Sequence, residues 1–190
     1  CYPEEITDQL IETIRTEKKI CHYMDIPIQH ASDRILRRMG RRTGREEITA
    51  RLKKLREAIP DMAVRTTMVT GFPGETEEDM EELLDFVDEM EFERLGVFTY
   101  SQEEGTPAAD MEEQIPEETK LARRDAVMEL QQEISLAGGE AMVGRRLGCA
   151  AHGGAPGDAP SAGTQHHHLQ PSDAERLLRR EEDTERQNRQ

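Results

Sequence analysis

Tryptophan is absent from the 190-residue sequence, which contains only three tyrosines and four phenylalanines. Large aromatic side chains therefore cannot dominate its core, which must be built from leucine, isoleucine, methionine and valine. The three cysteines, Cys1, Cys21 and Cys149, match neither a CxxC pair nor the spacing of a disulfide-dense scaffold. A signal-like segment and an apolar run of membrane-spanning length are also lacking. These absences predict a protein of the reducing cytoplasm with no membrane partner.

Acidic residues outnumber basic ones, which gives a formal net charge of −15 at pH 7. Such a surface disfavours binding to phosphate backbones, so we do not expect direct nucleic-acid binding. A basic protein partner is compatible with this charge. The most acidic stretch, residues 75–93, has eleven carboxylates and no basic residue, and the helical spacing of its apolar residues favours a solvated helix face.

Apolar periodicity and capping residues predict helices that alternate with strands. The first half begins with a helix at 3–17, opened by Pro3, and a strand at 23–28 with Pro27 at its end. A short helix capped by Ser32 follows. The next helix runs from the Thr43–Glu46 capping box to Pro60, and a strand follows at 63–70.

The second half begins with a helix capped by Thr76 and Asp79, whose inward residues are Met80, Leu83, Leu84, Val87 and Met90. A strand at 95–100 and a loop at 101–115 follow. The last helix runs from Pro116 to about Leu136, with Val127, Leu130 and Ile134 inward.

This order of elements predicts an α/β fold, because strands separated by helices imply a parallel sheet with right-handed crossovers. Three strands are too few to close a barrel, so we expect part of one in residues 1–147. After Leu147 the sequence loses its periodicity and becomes rich in glycine, alanine, proline, histidine and then arginine. We interpret residues 148–190 as a disordered tail, and we expect no metal role for the histidines at 166–168.

The turn Gly71-Phe72-Pro73-Gly74-Glu75, from a strand into a helix, is the best local signal of a site. Glycine lets a ligand approach the backbone, and a helix N-terminus offers free N–H groups. A turn that needs glycine and proline for its geometry alone explains the pattern equally well. The sequence is neither a GxGxxG nor a Walker loop, so a nucleotide di- or triphosphate is not indicated.

Two further positions carry polar groups of interest. Gln29 and His30 follow a strand, where ligand-contacting side chains gather in α/β sheets, although a polar strand end explains them without a ligand. Arg65 lies inside a strand, where it could bind a carboxylate in bidentate fashion or simply stand at an exposed strand start.

Three longer segments carry a family signature. They read Met-Asp-Ile-Pro-Ile-Gln-His-Ala-Ser-Asp at 24–33, Arg-Thr-Thr-Met-Val-Thr-Gly-Phe-Pro-Gly-Glu-Thr at 65–76, and Phe-Thr-Tyr-Ser-Gln-Glu-Glu-Gly-Thr-Pro-Ala-Ala at 98–109. Together these segments resemble the radical SAM methylthiotransferases, in the RimO branch. The resemblance extends over residues 1–147. It implies the C-terminal part of a partial, TIM-like (β/α) radical SAM barrel. It also implies S-adenosylmethionine and 4Fe–4S clusters as cofactors of the full-length protein, and an aspartate of a small-subunit ribosomal protein as its substrate.

The resemblance also implies cofactor-binding residues. The strand end from Val69 to Gly71 and the strand ending at Tyr100 would flank the adenine. Gln29 and Ser32 would lie near the ribose or the methionine part, and Arg65 near the charged end of the cofactor. The expected contacts are Gln29, Ser32, Arg65, Val69, Gly71, Glu75 and Tyr100, with no metal ligand among them and no catalytic residue assigned.

The chain also departs from the family pattern. No Cx3Cx2C motif for a cluster is present, and the low-complexity tail stands where a β-rich C-terminal domain should begin. We therefore expect a C-terminal fragment that is inactive alone, and we favour a shifted reading frame over natural divergence for the tail. The alternatives are the tRNA-modifying MiaB type, and a non-catalytic remnant that binds S-adenosylmethionine or a protein.

Overall fold

The computed structural model describes residues 1–144 and the backbone of residues 146–148 and 166–168. The chain divides into one compact unit of residues 1–135 and a second that begins at Leu136. Helices and one parallel sheet build the first unit, which confirms the predicted α/β class.

The sheet contains three parallel strands in the order β1-β2-β3. They are β1 (Tyr23–Gln29), β2 (Ala63–Thr70) and β3 (Arg94–Thr99). The central strand β2 has the predicted bounds, and β3 lies one residue earlier than predicted. Because all three strands run in the same direction, their carboxyl ends meet at one edge of the sheet.

Pro27 lies inside β1 and not at its end, so this part of the prediction was wrong. Within the described residues β1 is the outer strand of the sheet, where a missing N–H breaks no ladder on the outer side, so a proline is tolerated there. The pairing of β1 with β2 is irregular between Ile26 and Gln29, next to this residue.

The predicted helix at 3–17 is interrupted. A short 3-10 helix covers Pro3–Glu5, and α1 covers Asp8–Thr16. Thr7 separates them because its backbone is extended and its hydroxyl accepts a hydrogen bond from the Leu10 N–H at 3.2 Å. Such a cap starts a new helix and does not continue an old one.

The remaining helices follow the predicted order, as α2 (Asp33–Arg38), α3 (Arg45–Ala58), α4 (Glu77–Met90) and α5 (Glu117–Met142). The capping box of Thr76 and Asp79 on α4 is confirmed. The predicted capping box of Thr43 and Glu46 is wrong, because Gly44 is the N-cap of α3. The Asp33 carboxylate accepts a hydrogen bond from the Arg45 N–H at 2.7 Å, a bond to the first turn of α3 that the capping box was expected to supply.

One face of the sheet forms the core with the helices. Ile26, Val64 and Met68 are fully buried there, and each such side chain contributes on the order of 1.5–3 kcal/mol. Phe86 and Phe92 also belong to the core, although the apolar pattern did not single them out, whereas the predicted Leu84 is only partly buried. The opposite face is more open, with Tyr23 and Phe98 exposed.

The second unit is described only in part. It contains the end of α5 and two short antiparallel strands, β4 (Arg146–Gly148) and β5 (His166–His168), known by their backbone. The sequence predicted neither strand, and the prediction of a disordered tail from residue 148 was wrong for Gly148 and for β5. The rest of the predicted disordered tail lies outside the described residues. No helix in the described part of the chain has the length and apolar character needed to cross a membrane.

Candidate functional site

A cavity of about 460 Å³ opens at the carboxyl ends of the three strands. Its volume lies within the range of small-molecule sites, roughly 300–1,000 Å³. The strand ends, the segment after α2 and the loop before α5 supply its lining, which consists of Gln29, Arg38, Met39, Gly40, Arg41, Val69, Phe72, Tyr100, Thr106, Pro107, Ala108 and Met111. Of the seven expected cofactor contacts, the cavity gathers Gln29, Val69 and Tyr100.

Gln29 ends β1 in a left-handed backbone conformation, with φ of 79°. Residues other than glycine rarely adopt this conformation, and it persists only where the surroundings hold it. The irregular pairing of β1 after Ile26 provides that setting. The conformation places a side-chain amide, which can both donate and accept hydrogen bonds, in the cavity lining.

Tyr100 follows β3 and is held by two backbone contacts. Its N–H donates to the Thr70 carbonyl at 2.8 Å, and its carbonyl accepts from the Lys120 ammonium at 2.8 Å. Its ring meets Phe72 edge to face, with centroids 5.3 Å apart. The Tyr100 hydroxyl is buried without a hydrogen-bond partner among the described residues. This orphaned group and the aromatic surface beside it fit a flat, hydrogen-bonding ligand such as a nucleoside.

The turn between β2 and α4 holds itself together. The Glu75 carboxylate turns back and accepts from the Gly71 N–H through both oxygens, at 2.9 and 3.0 Å. Gly71 has φ of +74°, and a Cβ there would collide with the stem of Lys120. Gly71 and Glu75 do not line the cavity. The geometry therefore accounts for the glycine, and a direct cofactor contact at either position is a proposal.

Glu75 is the centre of a buried polar cluster with Arg123 and His30. Its carboxylate accepts from the Arg123 guanidinium at 2.9 Å and lies 3.3 Å from Nε2 of His30. Nδ1 of His30 accepts from the Ser32 N–H at 3.0 Å, which assigns the proton of a neutral ring to Nε2. That nitrogen is close to Glu75 but not aligned for a hydrogen bond. Burial lowers the pKa of Arg123, but hydrogen bonds and charge from Glu77 and Glu75 outweigh it and raise the pKa.

Ser32 also makes a buried hydrogen bond to Asp79 on α4. Its hydroxyl donates to the Asp79 carboxylate at 2.6 Å, and Arg34 forms an ion pair with the same group. Burial raises the pKa of Asp79, but hydrogen bonds from Arg34, Ser32 and Thr76 together hold it well below its usual value. Ser32 does not line the cavity, so its expected contact with the cofactor is likewise a proposal.

The lowered pKa of Asp79 makes its contribution to stability depend on pH. The folded chain binds this proton less readily than the unfolded chain, so the contribution is complete above about pH 4 and disappears as the pH falls further. We expect Asp79→Asn to lower the free energy of unfolding by roughly 1–3 kcal/mol at pH 7. The difference from the unsubstituted chain should shrink below about pH 4.

Urea unfolding at pH 7 and pH 3 measures this, with Asp88→Asn as the control. Asp88 is an exposed residue of the same helix and should matter little at either pH. A deficit in Asp79→Asn that stays constant or grows in acid would show that the carboxylate is not the stabilising form.

Arg65 is paired with Asp25 across neighbouring strands. The two residues are register partners, and Nη1 of Arg65 lies 2.5 Å from the Asp25 carboxylate. Both side chains are partly exposed on the open face of the sheet, outside the cavity lining. Asp25 thus provides the partner that a charge within a strand requires, and a cofactor role for Arg65 is a proposal.

The described residues contain no group of three or more His, Cys, Asp or Glu side chains that could hold a metal ion. Cys1 and Cys21 are both free and exposed. The side chains of these residues therefore do not fit a 4Fe–4S cluster, which needs converging thiolates.

Several residues of the site were not singled out from the sequence. Lys120 and Arg123 approach the turn from α5, and only a spacing of three residues between two basic side chains hinted at a shared face. Arg38 and Arg41 had a clearer signal, since residues 37–42 contain four arginines in a strongly acidic chain.

The chain is similar to proteins of known family. The model of the Radical SAM superfamily matches residues 2–87. The chain is 62% identical over 147 residues to the ribosomal protein uS12 methylthiotransferase RimO of Lachnoclostridium phytofermentans, covering 77% of this chain and 33% of that protein. It is 58% identical over 135 residues to the RimO of Pelotomaculum thermopropionicum, covering 71% of this chain and 30% of that protein.

A further relative is the RimO of an Anaeromyxobacter species, 55% identical over 148 residues, with 77% of this chain and 31% of that protein covered. The chain thus spans about a third of the length of the curated relatives it matches. The residues that the family model matches include β1 and β2. With its parallel sheet and these similarities, the chain belongs to the radical SAM methylthiotransferases, an enzyme family, in the RimO branch.

Proposed function

We propose that the cavity at the strand ends binds S-adenosylmethionine, and that the full-length protein uses it to methylthiolate an aspartate of ribosomal protein uS12. The convergence of Gln29, Val69 and Tyr100 on one cavity carries this proposal, since the family resemblance names these residues as cofactor contacts. The relatives described above have uS12 methylthiotransferase in their names, which supports a ribosomal protein over tRNA as the substrate. The site of action would be the cytoplasm, where ribosomes work.

Each lining residue has a role that its chemistry permits. Phe72 and Tyr100 offer an aromatic surface against which an adenine can stack. The buried Tyr100 hydroxyl has a free hydrogen-bonding capacity that a ring nitrogen or a ribose hydroxyl can satisfy. The Gln29 amide can hold a ribose hydroxyl at the end of β1.

The other four expected residues would act around this cavity. Gly71 and Glu75 would set the shape of the turn through the bonds between them. Ser32 would connect the end of β1 to α4 through Asp79. Arg65, beside Asp25 on the open sheet face, would meet the charged end of the cofactor.

The radical chemistry itself belongs to the cofactors. In the full-length family, S-adenosylmethionine and 4Fe–4S clusters supply the steps that lead to sulfur insertion. The described residues of this chain would contribute binding and orientation of the nucleoside.

Replacement of Tyr100 by phenylalanine tests the proposed cofactor site. Because the Tyr100 hydroxyl has no partner among the described residues, its loss should change the free energy of unfolding by less than about 0.5 kcal/mol. If the hydroxyl bonds the nucleoside, the affinity for S-adenosylmethionine should fall about threefold to tenfold. Calorimetric titration of the full 190-residue chain measures the affinity.

The matched control is Tyr23→Phe. Tyr23 is half exposed and does not line the cavity, so its hydroxyl should not influence binding. An affinity that falls equally in both variants, or in neither, would argue against Tyr100 as a cofactor contact.

A further inference from the structure

The arginines of this acidic chain are mostly paired with carboxylates. Nine of the thirteen arginines in residues 1–144 take part in an ion pair, which leaves Arg37, Arg41, Arg42 and Arg94 without one in that part of the chain. Three of these four lie within residues 37–42, immediately after or at the end of α2. With a net charge of −15, carboxylates are in large excess, so a local group of unpaired arginines needs an explanation.

Two arginines of this segment, Arg38 and Arg41, line the cavity at the strand ends. Gly40, which lies between them in the chain, has a left-handed backbone with φ of +73°, and it lines the same cavity. Arg41 lies over the Tyr2 ring, with its guanidinium carbon 5.2 Å from the ring centroid, which holds the side chain without neutralising its charge.

Arg38 is held only weakly by protein groups. Its one ion pair, to Glu113, is long at 3.4 Å, and its Nε is buried without a hydrogen-bond partner among the described residues. Its guanidinium packs over the backbone of Gly74, where an added Cβ would lie 2.8 Å from the central carbon. The side chain is thus positioned by packing, while part of its hydrogen-bonding capacity is left open.

Among the described residues, the cavity lining contains two arginines and no aspartate or glutamate. Arg38 and Arg41 make one side of the cavity positive, whereas Gln29, Val69 and Tyr100 are uncharged. Such a cavity suits a ligand with an uncharged flat part and a separate anionic group. A guanidinium binds a carboxylate through two parallel hydrogen bonds, which makes arginine the preferred residue for this group.

From this geometry we infer that Arg38 and Arg41 form a carboxylate-binding subsite at the rim of the cavity. The inference rests on the proposed function, which provides two sources for such a carboxylate. One is the aspartate side chain of the polypeptide substrate, and the other is the methionine part of S-adenosylmethionine. The binding chemistry is the same for both, so the experiment must separate them.

The test uses the full chain and two pairs of ligands that differ in one carboxylate. The first pair is S-adenosylmethionine and decarboxylated S-adenosylmethionine. The second pair is a uS12 peptide with the unmodified target aspartate and the same peptide with asparagine at that position. Both peptides have blocked termini, and each is titrated into the chain in the presence of saturating decarboxylated S-adenosylmethionine. The variants are Arg41→Gln, Arg38→Gln and Arg41→Lys, and the matched control is Arg42→Gln, since Arg42 is exposed and does not line the cavity.

We expect the unsubstituted chain to prefer the carboxylate ligand of one pair by about ten- to a hundredfold. Arg41→Gln and Arg38→Gln should remove most of this preference, Arg41→Lys should retain part of it, and Arg42→Gln should leave it unchanged. A preference within the peptide pair identifies the substrate aspartate as the source, and one within the cofactor pair identifies the methionine carboxylate.

The subsite is disproved if the chain prefers neither carboxylate ligand, or if Arg42→Gln reduces the preference as much as Arg41→Gln does. In both cases decarboxylated S-adenosylmethionine can still bind, and the proposed cofactor site then survives without the subsite. Failure of every ligand to bind the unsubstituted chain would reject the proposed function together with the subsite.

Discussion

Replacing Arg123 by leucine should lower the free energy of unfolding by about 3–5 kcal/mol, because it leaves the charge of Glu75 buried without its cationic partner. Glu75 is 3% exposed and Arg123 is 8% exposed, so water cannot take over the role of the guanidinium. The substitution also removes the hydrogen bond from Arg123 to the Glu75 carbonyl at 3.1 Å. Urea unfolding at neutral pH measures the loss.

The adjacent residue provides the matched control. Arg124 is partly exposed and pairs with Asp125, so Arg124→Leu removes a surface ion pair and should cost less than about 1 kcal/mol. The two variants change the same residue type to the same side chain on the same helix. Equal losses would show that the cost comes from the change in α5 itself and not from the buried charge.

A second variant asks whether the charge of Glu75 is the cause. Adding Glu75→Gln to Arg123→Leu removes the unpaired charge, so the double variant should recover part of the stability lost in the single one. Glutamine can still accept from the Gly71 N–H, which keeps one bond of the turn. A double variant that is less stable than Arg123→Leu would show that the unpaired charge of Glu75 is not the cause of the lost stability.

Gly71→Val should lower the free energy of unfolding by about 2–6 kcal/mol, for two reasons that add. Valine at a φ of +74° is strained, since left-handed backbone costs a β-branched residue on the order of 1–3 kcal/mol. Its side chain must also displace the stem of Lys120, whose ammonium is fixed to the Tyr100 carbonyl at 2.8 Å. Overpacking of this kind costs roughly another 1–3 kcal/mol.

Gly105→Val separates the two contributions. Gly105 has almost the same φ, +79°, but a Cβ there would meet no atom within 4 Å. This variant should therefore show the backbone strain alone. A comparison of unfolding midpoints in urea measures both, and equal losses at the two positions would mean that Lys120 yields freely to a side chain at Gly71.

A titration of Gly71→Val with S-adenosylmethionine, set beside its unfolding midpoint, decides between the two interpretations of the turn that the sequence left open. Loss of stability before any loss of ligand affinity supports a turn shaped by its own geometry, which is what the contacts of Gly71 with Glu75 and Lys120 favour. Loss of S-adenosylmethionine affinity at an unchanged midpoint would instead support close approach of the cofactor to the backbone.

Local patterns in the sequence predicted much of the fold. The strand β2 and the cap of α4 by Thr76 and Asp79 followed from β-branched residues and from a capping box, which depend on neighbours in the chain. One error came where a residue outside the local pattern decides the outcome. The N-cap of α3 is Gly44 and not Thr43, and the carboxylate of Asp33, twelve residues before Arg45, accepts from the Arg45 N–H.

The site divides in the same way. The family resemblance named Gln29, Val69 and Tyr100, and the fold brings them to one cavity because the carboxyl ends of parallel strands meet at one edge of a sheet. The inward turn of Glu75 toward Arg123 could not be predicted, since those residues are 48 positions apart and no spacing rule relates them. The arginines at 37–42 were visible in the sequence, but only the fold shows that two of them face the cavity.

The central claim is that the cavity at the strand ends binds S-adenosylmethionine, and calorimetric titration of the unsubstituted chain with this cofactor tests it most directly. The account predicts saturable binding at one site per chain, with an affinity that Tyr100→Phe weakens and Tyr23→Phe leaves unchanged. A chain that is folded by urea unfolding yet shows no saturable binding, or binds with equal affinity in both tyrosine variants, would contradict it.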